Sequence, residues 1–137
     1  MKRYLLDTNV ISEVRKPRPH GAVVAWFRSL KPIQLYLSAV TLGELQYGVE
    51  LTRRQDRQKA DELEAWIAAV SDGIQLLTMD ELCCREWARL RQHKSDTLLV
   101  DAMLAATARV HSLTIATRDE ADFKHFDVEI FNPFKFK

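Results

Sequence analysis

In Tyr4-Leu5-Leu6-Asp7-Thr8-Asn9 an apolar triplet runs straight into three polar residues. Three apolar residues in a row, with no alternation, are what a strand buried on both faces requires. Asp7 and Asn9 are residue types that cap helices, and the apolar positions that follow up to Arg15 continue as a short helix. Pro17 and Pro19 then end it, because proline lacks the amide hydrogen and crowds the preceding turn.

The same alternation recurs outward from this start. Short apolar runs at 34–38, 74–77 and 113–117 are expected strands, with 129–131 as a possible last one before Asn132-Pro133. Between them lie segments of helical spacing. Val23, Val24, Trp26, Phe27 and Leu30 mark one; Leu42, Leu45 and Val49 mark a helix over 41–51. Gly43 and Gly48 each cost that helix about 1 kcal/mol relative to alanine. Leu63, Trp66, Ile67 and Val70 lead to an Asp72-Gly73 stop. Asp80 is placed to cap a helix carrying Leu82, Trp87 and Leu90, and 98–110 is an alanine-rich helix with little exposed face. The charged stretch 53–59 reads either as a turn or as a helix start. Strands alternating with helices give an α/β sandwich around a mostly parallel sheet.

The bulk numbers agree with one domain spanning residues 1–137. The chain is 47% hydrophobic and 28% charged, with 20 Lys+Arg against 19 Asp+Glu and a formal net charge of +1. That balance argues neither for nor against a nucleic-acid partner: a strong non-specific binder is usually much more basic, whereas an enzyme that touches a few phosphates locally need not be. The two cysteines, Cys83 and Cys84, are adjacent and poorly placed to pair with each other, so a reducing compartment is expected. No run approaches the ~18 apolar residues of a membrane helix, and Asp7 and Asn9 interrupt any signal-like segment. A cytoplasmic protein is expected.

In open α/β sheets, ligands bind beyond the carboxyl ends of the strands. Asp7 follows the first strand and Asp119 follows the strand at 113–117, so two carboxylates can converge on one crevice. Glu44 sits between Leu42 and Leu45, and Asp101 is bracketed by Leu98, Leu99, Val100, Ala102, Met103 and Leu104. A charge in so apolar a helix either lies on a narrow exposed strip or is held for a purpose. Carboxylates gathered in one crevice repel, and a hard divalent cation such as Mg²⁺ resolves the repulsion. Such an ion can activate water and stabilise charge on a phosphodiester. Thr8, Asn9, Ser38 and Thr117 lie beside the same strand ends and are candidates for orienting the acids.

Leu5-Leu6-Asp7-Thr8-Asn9-Val10-Ile11-Ser12-Glu13 resembles the opening motif of PIN-domain proteins, in particular the VapC and FitB-like toxins. The segment from Leu37 to Leu45, containing Glu44, is similar to their second motif. Asp101-Ala102-Met103-Leu104-Ala105-Ala106-Thr107-Ala108, followed by His111-Ser112-Leu113-Thr114-Ile115-Ala116-Thr117-Arg118-Asp119, resembles the third and fourth. Phe131-Asn132-Pro133-Phe134 is also similar to this subgroup. The motifs stand in the family's order from Tyr4 to Phe134.

The resemblance implies a PIN-like three-layer α/β/α sandwich with a short, mostly parallel central sheet. It implies an Mg²⁺- or Mn²⁺-dependent endoribonuclease, the toxin of a type II toxin–antitoxin system. The implied partners are RNA, a small DNA-binding antitoxin and a second copy of the chain, within a possible larger toxin–antitoxin assembly. Carried over residue by residue, the catalytic and metal-binding acids are Asp7, Glu44, Asp101 and Asp119, with Asp7 and Asp101 as principal ligands. The stretch from Lys94 to Val100 departs from the family pattern, which leaves Asp96 as a rival to Asp101.

Each acid alone has a plainer reading as a helix cap, a turn residue or a solvated helix residue. The ordered set of four favours a metal site. Another phosphoryl-transfer enzyme, a DNA nuclease or phosphatase, would use the same carboxylates; an aspartyl-phosphate phosphatase would need a second Asp where Asn9 stands. A non-catalytic binding module is the third reading. His20, His93, His111 and His125 lack metal-ligand spacing and are expected at the surface or behind the site. Trp26, Trp66 and Trp87 read as core or dimer contacts. The basic clusters around Arg15, Arg53 and Arg89 read as solvated faces, and Arg118 as either a phosphate contact or a carboxylate partner.

Overall fold

The strands form on short, mainly apolar runs, of which Tyr4-Leu5-Leu6 is apolar throughout; the edge strand at 75–77 begins with Gln75 and stays largely exposed. The structure, a computed structural model, describes residues 1–137. Tyr4–Leu6 (β1), Leu35–Ser38 (β2), Gln75–Leu77 (β3), Thr114–Ala116 (β4) and Ile130–Phe131 (β5) form one sheet in the order β3-β2-β1-β4-β5. Every pairing is parallel, with Tyr4 opposite Leu35 on one side and Thr114 on the other. Seven helices accompany it: Thr8–Arg15 (α1), Gly21–Arg28 (α2), Ala39–Arg53 (α3), Arg57–Gly73 (α4), Glu81–Leu90 (α5), Leu99–His111 (α6) and Glu120–Phe123 (α7).

Successive strand residues point to opposite faces, so a triplet that is apolar throughout serves two cores. Leu5 and Ile115 pack on one face with Ala102, Leu104, Ala105 and Phe123, beneath α5, α6 and α7. Tyr4, Leu6, Leu37 and Ala116 pack on the other with Val10, Ile11 and Trp26, beneath α1 to α4. Leu5, Leu6 and Leu37 are fully buried. This is the α/β/α sandwich expected from the sequence.

Local differences from the expected elements have identifiable causes. The charged stretch 53–59 is a corner between two helices: α3 ends at Arg53, and the Asp56 carboxylate accepts from the Lys59 amide at 3.0 Å to start α4. The helix expected over 98–110 is preceded by a 3₁₀ turn, Asp96–Leu98, because the Ser95 hydroxyl caps that turn through the Thr97 amide at 3.2 Å.

Strand order fixes where a site can form. The chain leaves β1 toward β2 and β3, then crosses back to place β4 on the other side of β1. The crevice between β1 and β4 is therefore the topological switch point, the place where open α/β sheets bind ligands.

Candidate active site

Asp7 lies at the switch point, where β1 hands over to α1. Its amide continues the ladder by donating to the Ala116 carbonyl at 2.9 Å. The residue is only 8% exposed. One carboxylate oxygen accepts from the Thr8 amide at 2.7 Å; the other accepts from the Thr117 hydroxyl at 2.8 Å and the Asn9 amide at 3.3 Å. Burial pushes the Asp7 carboxyl above its ordinary pKa, opposed by the Thr117 and Thr8 hydrogen bonds, while the charges of Asp119 and Glu44 push it higher.

Asp119 follows β4 and faces the same crevice. It does not cap α7 with its side chain. Asn9 holds it instead, donating to Asp119 Oδ2 at 3.0 Å from the side-chain nitrogen that also faces Asp7. The Asn9 oxygen accepts from the Arg118 amide at 3.2 Å, which fixes which end of the side chain points at the acids. Glu44, exposed on α3, is tied across by the Thr8 hydroxyl at 2.9 Å. Of the four polar residues the sequence offered as orienting groups, Thr8, Asn9 and Thr117 contact carboxylates. Ser38 does not; it caps α3 through the Val40 amide at 3.1 Å.

Asp101, the third residue of α6, is half-buried and receives no hydrogen bond from the protein. Its carboxyl is pushed up to about 6, first by burial and then by Asp7, Asp122, Asp119 and Glu44. Asp7, Glu44, Asp101 and Asp119 line one cleft of about 450 Å³, together with Thr8, Asn9, Thr97 and Val100. Asp96 does not share it. Its side chain is 87% exposed and pairs with Arg91 at 3.3 Å, so the 3₁₀ turn sends Thr97 into the cleft and Asp96 out. Asp122, which the sequence reading did not single out, is exposed on α7 and does not line the cleft; its charge adds to those that push the Asp101 carboxyl up.

Charge decides what the cleft can hold. No Lys, Arg or His lines it, and the carboxylates that could ligate a metal there offer oxygen alone. The carboxylates are not drawn into a tight knot: no three of them bring one oxygen each within 4.8 Å of the other two. The space between the acids suits a hard cation that keeps part of its water shell. Arg118, the nearest cation in sequence, points elsewhere. It pairs with the buried Glu13 at 3.4 Å and lies 3.8 Å from the centre of the Phe134 ring. Arg53 is likewise taken up by Glu50, Asp61 and Glu64.

The family model for the PIN domain matches residues 4–129. This chain belongs to the PIN domain family. It is 42% identical to Toxin FitB of Neisseria gonorrhoeae over 94% of this chain and 96% of that protein. It is 35% identical to VapC ribonuclease Y4jK of Sinorhizobium fredii over 96% and 97%. The crystal structure of FitAcB from Neisseria gonorrhoeae superposes with a TM-score of 0.87 at 38% identity, covering 97% of this chain and 99% of that one. The PIN domain described here carries no helix long and apolar enough to cross a membrane.

Proposed function

We propose that this chain is a metal-dependent endoribonuclease, the toxin of a toxin–antitoxin pair, using Asp7, Glu44, Asp101 and Asp119. The observation that carries this reading is the cleft at the β1–β4 switch point, lined by four carboxylates and no cation, with the Asp101 carboxyl pushed up to about 6. The relatives named as VapC ribonucleases support RNA as the substrate class.

The residues fit a divalent cation such as Mg²⁺ or Mn²⁺. Asp7 and Asp101 are the principal ligands in this reading, with Glu44 and Asp119 completing the acidic ring. When bound, the ion supplies charge stabilisation to a phosphodiester and lowers the pKa of water. The chain's own contribution is orientation. Thr117 and Thr8 fix the Asp7 carboxylate, Asn9 fixes Asp119 relative to it, and Thr8 holds Glu44. Fixed acids cost no reorganisation when substrate arrives.

A cavity of about 300 Å³ adjoins the cleft, sharing Thr8 and Glu44 with it and lined by Leu45, Val49, Trp66 and Ile67. Acid at one end and apolar floor at the other suit a partner segment presenting a cationic side chain beside apolar ones. An antitoxin is that partner in this reading, as the FitAB and VapBC complexes among the structural relatives support. A homodimer acting in the cytosol completes the proposal.

Incubating the purified chain with single-stranded RNA, DNA and a generic phosphate monoester, each with Mg²⁺ or Mn²⁺, tests the substrate class. Metal-dependent turnover of RNA alone is expected. Turnover of DNA or the monoester instead of RNA overturns the reading.

A further inference from the structure

We infer that the α5–α6 hairpin carries a second metal site, for a thiophilic divalent cation such as Zn²⁺, formed by Asp80, Cys83 and His111. One ligand atom from each, a carboxylate oxygen, a thiol sulfur and an imidazole nitrogen, lies within 4.8 Å of the other two. It is the only such group of three among the His, Cys, Asp and Glu side chains.

Two features of the chain bring them together. Asp80 caps α5, accepting from the Cys83 amide at 3.0 Å, so the Asp-x-x-Cys spacing sets carboxylate and thiol side by side on the first turn. Capping explains that pair but not the imidazole. His111 comes from the last turn of α6, which packs antiparallel on α5 and brings its end to the start of α5. Arg3 fixes that end, donating to the His111 carbonyl at 2.9 Å. The His111 ring has no hydrogen-bond partner within the protein. Spacing along the sequence hides this group, because its third member comes from a different helix.

The chemistry selects the ion. Tetrahedral zinc with bonds of about 2.0–2.3 Å wants ligand atoms roughly 3.3–3.8 Å apart, so a modest rotation of Asp80 and His111 closes the set. Sulfur and imidazole favour Zn²⁺ or Co²⁺ over Mg²⁺, which keeps this site chemically separate from the carboxylate-lined cleft. Cys83 is fully buried, whereas Asp80 is exposed and His111 half-exposed, so an ion enters from the solvent side and a water completes its coordination. Thr107, also buried, contacts the thiol from behind. On binding, the Cys83 S–H bond breaks, its proton leaves to solvent and the sulfur lone pair bonds the ion, with no change of oxidation state. The ion would clamp α5 to the helix that carries Asp101.

Cobalt(II) titration of the untagged full chain in excess Mg²⁺ tests the site. The expected result is a thiolate-to-cobalt absorption band saturating at one equivalent, unchanged in Asp101→Asn and lost in both Cys83→Ser and His111→Asn. Zn²⁺ at about one hundred times its Kd should raise the thermal midpoint by roughly 10 °C in the wild type and not in His111→Asn. His111 is only half-buried, so its variant keeps the test decisive should Cys83→Ser fold poorly. Absence of the band in the wild type, its persistence in His111→Asn, or its loss in Asp101→Asn overturns the proposal.

Discussion

Thr117 and Asp7, the residues that directly follow β4 and β1, are joined by a 2.8 Å hydrogen bond. The hydroxyl hydrogen goes to Asp7, and the same oxygen accepts from the Asp119 amide at 2.9 Å. One buried side chain thus sets the orientation of one acid and the backbone position of another. Replacing it with valine keeps the shape and removes both links. Thr117→Val should cost about 1–3 kcal/mol of stability, because a buried carboxylate oxygen loses its best donor. Cation affinity and RNA cleavage should fall about 10–100-fold. Denaturant melts and Mn²⁺ titration check the two effects separately.

Asn9 links the same two acids from the solvent side. Asn9→Ala should release Asp119 while leaving the core untouched. The expected outcome is roughly tenfold weaker Mn²⁺ binding with almost no change in thermal midpoint. A large loss of stability instead would mean that Asn9 serves the fold rather than the site.

The Asp101 carboxyl titrates near 3.9 in the unfolded chain and at about 6 in the folded one. Between those values the folded state binds more protons. Its contribution to stability is therefore full below the unfolded value and is lost as pH rises through 6. Melts in chelator from pH 4 to 7.5 should show wild type losing stability relative to Asp101→Asn as pH rises, and the metal-free variant should be the more stable at pH 7.5. Added Mg²⁺ should reverse that order. Cation affinity should fall as pH drops below 6, where protons compete for the same oxygen.

Asp96 lies five residues before Asp101 but on the outer side of the 3₁₀ turn, in a surface pair with Arg91. Asp96→Asn should leave cleavage within twofold of wild type and stability within about 0.5 kcal/mol. A drop comparable to that of Asp101→Asn would return Asp96 to the site.

The sequence was most informative where burial dictates composition. Leu5, Leu37 and Ile115 sit in runs that only a doubly covered parallel strand tolerates, and the sheet follows from them. Asp7 and Asp119 were legible because strand ends can be placed from those runs. Asp101 was legible because an acid amid Leu98, Val100 and Ala102 demands a reason. Glu44 was legible only through the resemblance of the segment from Leu37 to Leu45 to the second family motif, since an exposed helical glutamate looks the same with or without a role; its link to Thr8 is a tertiary fact. The separation of Asp96 from Asp101 depended on a single turn capped by Ser95, too fine a feature for periodicity to resolve. Ser38 looked equivalent to Thr117 from its strand-end position, yet its hydroxyl is spent on the cap of α3.

In the proposed function, four carboxylates at the β1–β4 switch point hold the cation with which this chain cleaves RNA. Parallel Mn²⁺ titration and RNA cleavage by wild type and Asp101→Asn at pH 7.5, both verified as folded, test it most directly. Loss of Mn²⁺ binding in the cleft together with loss of cleavage is the predicted result. Cleavage of RNA by Asp101→Asn at the wild-type rate would contradict it.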